Sequence, residues 1–440
     1  MKKILPPLLL SLGILYLGFG VDRTNFYELI TAFTVAFAGY AALVKYAEEK
    51  TLRLAIILGI GLRLALVFAF PLLSDDVYRF IWDGLLINDG QNPFAKIPAF
   101  YLEAGNEVPG LTPELYGKLN SPEYFTIYPP VAQAIFTLAT WISPGSHYWA
   151  AVVMKLFLFA CELGSLWVLH RLFRTTFSGF PITNLLFYWL NPLIIIEITG
   201  NLHFEGAMVF FLLLALYCLT QRRWVRAGLA MAASVASKLL PLLLLPYLIR
   251  RLWGRPFWVF SIVFGAALLL LFAPLLAAGF LDGFGSSLDL YFRKFEFNAS
   301  IYYLAREIGY GVVGWNLIST IGPALAKFAA VAILVLALLD GRSSWKDLPV
   351  GWLWAFTIYL LCATTVHPWY LSVPIALCCF TRWRFPLVWS FLITFTYVSY
   401  TTVPYRELLW VVAVEYVLVL GFLIWERKRP TPPVPEGRLP

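Results

Sequence analysis

The sequence predicts an all-α fold: a polytopic membrane bundle of about twelve to fourteen transmembrane or re-entrant helices with long extracytoplasmic loops. Three observations carry this. Of 440 residues, 60% are hydrophobic and only 13% charged, about half the charged share of soluble domains. The mean hydropathy is +0.76. Apolar runs of the roughly 17–25 residues that a bilayer span needs recur along the whole chain. These runs are solidly apolar, without the alternation of a β-barrel strand.

Taken in order, the opening MKKILPPLLLSLGILYLGFG resembles a signal peptide but has no small-x-small cleavage site and is followed by more spans. It reads as an uncleaved first helix. Candidate spans are 4–20, 27–44, 54–73, 147–169, 182–199, 204–220, 257–279, 318–340, 350–364, 369–381, 386–402 and 407–425. Two stretches, 129–142 and 228–249, are each bracketed by prolines or arginines and would break the topological parity if they crossed fully. Broken or re-entrant helices are allowed where protein covers the backbone. No internal repeat is evident. The organisation is one transmembrane domain, 1–427, and a proline-rich tail, 428–440, expected to be disordered and cytoplasmic.

The net charge of +8 does not point to nucleic acid, because the basic residues follow topology. With Met1 inside, most Lys and Arg fall in cytoplasmic segments, among them Arg222, Arg223, Arg226, Arg250, Arg251 and Arg255, as the positive-inside rule requires. That orientation puts 74–128, 200–203, 280–317, 365–368 and 403–406 outside. The five cysteines, Cys161, Cys218, Cys362, Cys378 and Cys379, lie in apolar runs without metal-ligand spacing, so small buried side chains are expected rather than disulfides.

The stretch SDDVYRFIWDGLLINDGQNPF stands out. Asp75 and Asp76 abut the apolar run 54–73 with no linker, and a carboxylate pair there is costly unless it faces water or a polar cavity. They can cap a surface helix starting at Val77, or one can deprotonate an acceptor hydroxyl; the two readings are compatible. Tyr78, Arg79 and Asp83 continue that helix. Arg79 and Asp83, four apart, suit a simple ion pair, while the forked donors of Arg79 also suit a phosphate. Tyr128 precedes Pro129-Pro130, which can start a helix. In GNLHFEG, His203 and Glu205 sit between two spans and offer too few ligands for a metal site. Lys238 lies in an apolar run, where it either snorkels or serves a site. Arg293 and Lys294 in YFRKFEFNASIYY belong to a membrane-surface helix or a phosphate clamp, and Asn298 fits a glycosylation sequon. In TVHPWYL, an aromatic belt accounts for Trp369 and Tyr370 but not for His367, which can bind phosphate or relay a proton.

Together SDDVYRFIWDGLLINDGQNPF, YPPVAQ, GNLHFEGAMVFFLLLAL, AGLAMAASVASKLLPLLLLP, FEFNASIYYL and TVHPWYLSVP resemble, in this order over about residues 54–380, the multispanning GT-C glycosyltransferases. The similarity is greatest to bacterial polyprenyl-phosphate-mannose-dependent mannosyltransferases and to the eukaryotic GPI-mannosyltransferase type. The resemblance implies a first outer loop carrying the catalytic carboxylate, Asp76 in preference to Asp75, and a match of His367 to the histidine of the late outer loop. It implies a polyprenyl-phosphate sugar donor, mannose by preference, a lipid or glycan acceptor hydroxyl, and inverting transfer with no required cofactor, metal assistance being variable. Cations are then expected to hold the departing lipid phosphate. The substrate-binding set is Tyr78, Arg79, Asp83, Tyr128, Lys238, Arg293, Lys294, Asn298, His367, Trp369 and Tyr370. GNLHFEG departs from the Gly-His-Asn-Asp pattern of relatives. The site is expected on the outer face of a bacterial cytoplasmic membrane, among membrane lipids. A lipid or solute transporter would share the buried charges but favours inverted repeats; a polymerase or ligase of lipid-linked glycans would share the lipid phosphate.

Overall fold

Helices form at every apolar run named above. A computed structural model describes residues 4–276, 293–402 and 405–429, together with positions 280, 283, 285, 286 and 289. The proline-rich tail lies almost wholly outside the described residues. The first three helices are α1 (Leu5–Phe19), α2 (Phe26–Lys45) and α3 (Glu49–Val67). The helix expected from Val77 starts one residue earlier as α4 (Asp76–Asn88). Then come α5 (Pro130–Ile142) and α6 (His147–Thr175). A bent pair follows, α7 (Ile182–Trp189) and α8 (Pro192–Gly200), turned by 48° at the break. The second half holds α9 (Glu205–Thr220), α10 (Trp224–Ser237), α11 (Arg255–Phe272), α12 (Ile301–Val313), α13 (Ile318–Leu339), α14 (Leu348–Cys362), α15 (Pro368–Cys378), α16 (Phe385–Leu392) and α17 (Leu409–Lys428).

The all-helical class holds, and the structure divides spanning helices from shorter ones. Among the described residues, five are individually long and apolar enough to cross a membrane: α2, α6, α11 with its extension to Leu275, α13 and α17. The bent pair makes up to six. A 15-residue helix such as α1 rises about 23 Å, short of a roughly 30 Å hydrocarbon core. Prolines cut the runs. Pro192 separates α7 from α8, Pro241 starts a 3₁₀ turn (Leu240–Leu244) after α10, and Pro368 opens α15. The 228–249 stretch is thus a broken helix, and 129–142 a short one. All five cysteines are free and buried.

In an apolar bundle each freed backbone group and each charge needs a protein partner. Lys155 of α6 donates to the carbonyls of Leu66 (3.1 Å), Gly200 (2.7 Å) and Ala69, tying the ends of α3 and α8 together. Helix ends leave such carbonyls unsatisfied. Deeper, Arg63 of α3 and Glu162 of α6 form a fully buried pair at 2.8 Å. Arg63 also donates to the Trp189 carbonyl at 2.8 Å and lies 4.0 Å from the Trp189 ring, while the Tyr188 hydroxyl donates to Glu162 at 2.6 Å. This network holds the bent pair against α3 and α6.

Two further contacts place α4. A Cβ on Gly84 would come within 2.4 Å of the Phe136 carbonyl, so only glycine lets α4 lie this close to α5. Leu73, just before α4, donates its N–H to the Asn201 side chain at 3.1 Å, linking α4 to the turn after α8. Segments assigned outside pair with one another, as Arg23 does with Asp75. Segments assigned inside do the same: Arg251 meets Asp340, and Glu426 accepts from the backbone of Arg384.

Breaking the buried pair should cost about 3–5 kcal/mol, because one charge is left unpaired. Glu162→Ala should sharply lower the thermal unfolding midpoint in detergent, whereas the double change Arg63→Met with Glu162→Leu should lower it less. Equal losses for both would show that the ion pair is not what holds these helices.

Candidate active site

Beside the start of α4 a cavity of about 330 Å³ opens. Its walls come from stretches far apart in sequence: Arg23 between α1 and α2, Asp75, Asp76 and Arg79 at the start of α4, the 120–128 strip, Phe295–Phe297, and the 365–370 strip. Lys238 from the end of α10, Tyr400 and Tyr405 complete it.

The two adjacent carboxylates are separated by their partners. Asp75 sits at the N-cap position of α4 but makes no capping bond. Ser74 Oγ accepts the Asp76 N–H at 3.3 Å instead. Asp75 is thus free to pair with Arg23 at 2.5 Å, and the Arg23 guanidinium lies 5.3 Å from the Tyr400 ring. Asp76 accepts from Asn120 Nδ2 at 2.6 Å on one oxygen and from the Tyr128 hydroxyl at 3.1 Å on the other. Among the described residues the one ion-pair contact of Asp76 is with His203, at 4.0 Å, and it carries charge only while that ring is protonated. One carboxylate is neutralised and the other is held by neutral donors on the cavity wall.

Lys238 follows the last residue of α10, where the helix stops and its backbone turns extended. A cation is favoured at that end by the helix dipole. It pairs with fully buried Glu205 at 2.7 Å and lies 5.8 and 5.7 Å from the rings of Tyr128 and Tyr370. Thus Glu205 of GNLHFEG anchors the cavity lysine.

His367 reaches the cavity through a single parallel β-bridge, between Phe297 and Thr365. The Phe297 N–H donates to Thr364 O at 3.0 Å, and Val366 N–H to Phe297 O at 2.7 Å. Its ring stacks on Trp369 (4.4 Å between centroids, 7° between planes) and meets Tyr370 edge-on. Nδ1 is buried without a hydrogen-bond partner. Burial pushes the imidazole down to about 3, against the opposing pull of Asp76. A neutral ring at physiological pH can present an N–H or a lone pair but not a charge.

Of the residues singled out in the sequence, Asp75, Asp76, Arg79, Tyr128, Lys238, His367, Trp369 and Tyr370 line this one cavity. Arg79 does so with its donors engaged: it binds Asp83 at 2.9 Å and the carbonyls of Ser121 and Tyr124 at 3.3 and 2.9 Å, clamping the 120–126 strip to α4. Five residues lie elsewhere. Asp83 is fully buried, divided between Arg79 and Gln133. Tyr78 turns to Phe70, His147 and Lys118 on the other side of α4. Arg293 pairs with Asp289 on the same helical face at 2.6 Å, and Lys294 is exposed. Asn298 is buried, its N–H donating to Glu407 (2.8 Å) and its side chain to Glu415 (3.2 Å).

Arg23, Asn120, Tyr400 and Tyr405, which line the cavity, and Glu197, which lies behind it, are not among the residues that the sequence singles out. Glu197 had a signal, a lone carboxylate inside the run NPLIIIEITG; Arg23 had a weaker one, a cation in a short outer turn. Asn120 had none. Among the described residues no group of three or more His, Cys, Asp or Glu side chains could hold a metal ion.

The family model described as "Alpha-(1->6)-mannopyranosyltransferase, N-terminal domain" matches residues 21–254. That span includes Arg23, Asp75, Asp76, Asn120, Tyr128, His203 and Lys238 and stops before His367. The alpha-(1->6)-mannopyranosyltransferase A of Corynebacterium glutamicum is 25% identical over 184 residues, 42% of this chain and 36% of that protein, so the alignment covers well under half of the relative. The match across more than half of the chain places it in the family: the chain belongs to the multi-pass membrane family defined by the alpha-(1->6)-mannopyranosyltransferase N-terminal domain.

Proposed function

We propose that the chain is an integral-membrane mannosyltransferase that moves mannose from a polyprenyl-phosphate donor to a hydroxyl of a lipid or glycan acceptor. Transfer takes place on the outer face of a bacterial cytoplasmic membrane. One observation carries this reading: Asp76, held by Asn120 and Tyr128, shares a cavity with Lys238 and His367. A base and phosphate-binding groups are what glycosyl transfer from a lipid phosphate requires. The family membership supports mannose, and the rings of Tyr124 and Phe295 on the cavity wall offer apolar surface to a sugar.

In this mechanism Asp76 takes the proton of the acceptor hydroxyl as its oxygen attacks the anomeric carbon. The bond to the phosphate oxygen breaks and its electron pair leaves with the lipid phosphate. Phosphate is already a good leaving group, so one base suffices and no general acid is needed. Lys238 stabilises the charge that grows on the phosphate, and His367 contributes a neutral N–H. Asp75, tied to Arg23, is a poor second nucleophile, which favours direct displacement with inversion. The site needs no cofactor, and Arg293 and Lys294 take no part in it.

The test is transfer of labelled sugar from purified polyprenyl-phosphate-mannose and polyprenyl-phosphate-glucose to a membrane lipid extract. Wild type should transfer mannose, and Asp76→Asn should lose about 10²–10⁴-fold, the usual worth of a general base. Full activity in Asp76→Asn would remove the mechanism, and a protein that binds neither donor would point to transport. Asp75→Asn should stay within about tenfold of wild type, since that carboxylate faces Arg23 rather than the acceptor; a loss as large as that of Asp76→Asn would reverse the assignment of the base.

A further inference from the structure

Behind Asp76 lies a second acid–imidazole pair that single-base transfer leaves unused. The chain reaches it through two unusual backbone features. Ile195–Gly200 forms a π-helical turn, a rare element concentrated at functional sites. Leu202 then adopts φ 70°, a left-handed conformation that costs a branched, bulky residue energy and persists only where the surroundings enforce it. Their combined effect is to turn His203 back toward α4.

The contacts of His203 fix its tautomer. Nδ1 lies 2.8 Å from the Glu197 carbonyl oxygen and 3.3 Å from a Glu197 carboxylate oxygen. A carbonyl only accepts, so Nδ1 carries the proton and Nε2 the lone pair. Nε2 is buried with no hydrogen-bond partner, and it lies 4.0 Å from Asp76 Oδ2, the oxygen that also accepts from Tyr128. The ring is clamped face to face on Trp369, 3.6 Å between centroids and 16° between planes. Glu197 is fixed in turn by the Tyr397 hydroxyl at 2.6 Å. A histidine kept only for packing would have both nitrogens satisfied. This one has an acceptor lone pair directed at the base and a carboxylate behind it.

We propose that His203 is a proton relay for Asp76, with Glu197 stabilising its imidazolium form. This rests on the reading of Asp76 as the base, and His203 acts through it as a positioning residue. The acceptor O–H bond breaks as its electron pair forms the new glycosidic bond, the bond from the anomeric carbon to the phosphate oxygen breaks with its pair leaving on the phosphate, and the proton passes to Asp76. From Asp76 it moves to His203 Nε2, which returns Asp76 to its anionic form and leaves an imidazolium between two carboxylates. The proton goes back through Asp76 to water as products leave. The 4.0 Å gap must close by about 1 Å for the hop, a tightening usual when an unliganded site fills.

The titratable groups facing His203 are Asp76 from α4, Glu197 from α8, Tyr397 through Glu197, and His367 across the Trp369 ring. Asp76 and Glu197 are the carboxylates next to the ring. The relay needs Nε2 unprotonated, so the turnover rate falls at low pH along a limb set by the imidazole. Removing the imidazole removes the group that sets this limb. The limb therefore moves to lower pH.

The experiment is kcat and donor KM against pH, with polyprenyl-phosphate-mannose as donor and a membrane lipid extract as acceptor source, for the full chain and for Asp76→Asn, His203→Gln and Glu197→Gln. His203→Gln should lower kcat about 10–100-fold, leave donor KM within about twofold and move the acid limb down. Glu197→Gln, which keeps the ring, its stack and the backbone bond, should move the limb the same way by less and serves if His203→Gln fails to fold. An acid limb unmoved in both variants overturns the relay, as does a kcat within twofold of wild type. The two failures differ: an active Asp76→Asn defeats the base itself, whereas an inactive Asp76→Asn beside unaffected His203 and Glu197 variants defeats only the relay.

Discussion

An apolar slab leaves no water to satisfy a broken helix or a stray charge, and this constraint shapes the protein. Each interruption has a partner from another helix: Lys155 for the ends of α3 and α8, the Arg63–Glu162 pair for the bend between α7 and α8, Glu205 for Lys238 where α10 stops. The breaks that would be liabilities elsewhere point polar groups in a chosen direction. Three of them, after α3, after α8 and after α10, bring Asp76, His203 and Lys238 to one end of the bundle.

The division of labour between Asp75 and Asp76 follows from the same economy of partners. Two neighbouring carboxylates repel, and pairing one with Arg23 relieves that. Capping of α4 falls to Ser74, so neither side chain is consumed by the helix start. Asp76 is left with Asn120 and Tyr128, donors that fix its direction without neutralising it. Arg79, which looked suited to a phosphate, holds the 120–126 strip against α4 and so places Asn120 where Asp76 can meet it.

The fold class was legible because solid apolar runs of span length recur along the whole chain. Helix lengths were less legible: a run of apolar residues does not show where a proline will cut it, as at Pro192 and Pro368. At the site, Asp76, Lys238 and His367 were legible because polar groups beside apolar runs are costly enough to demand a reason. Asp83 and Asn298 show the limit of that argument, since the same cost is met by partners far apart in sequence, Gln133 for one and Glu415 for the other. Asn120 carried no local signal; its place depends on the Arg79 clamp, a contact 42 residues away through Ser121. Arg293 and Lys294 sit among aromatics that suggested a clamp, yet Arg293 pairs along its own face with Asp289.

The central claim is that one cavity holds the sugar against Asp76 and the lipid phosphate against Lys238 and His367. A structure of Asp76→Asn with polyprenyl-phosphate-mannose bound in lipid nanodiscs tests it most directly. The account predicts the anomeric carbon of the sugar facing residue 76, with phosphate oxygens within hydrogen-bond reach of Lys238. Density for the sugar or the phosphate outside this cavity, with residue 76 facing neither, would contradict it.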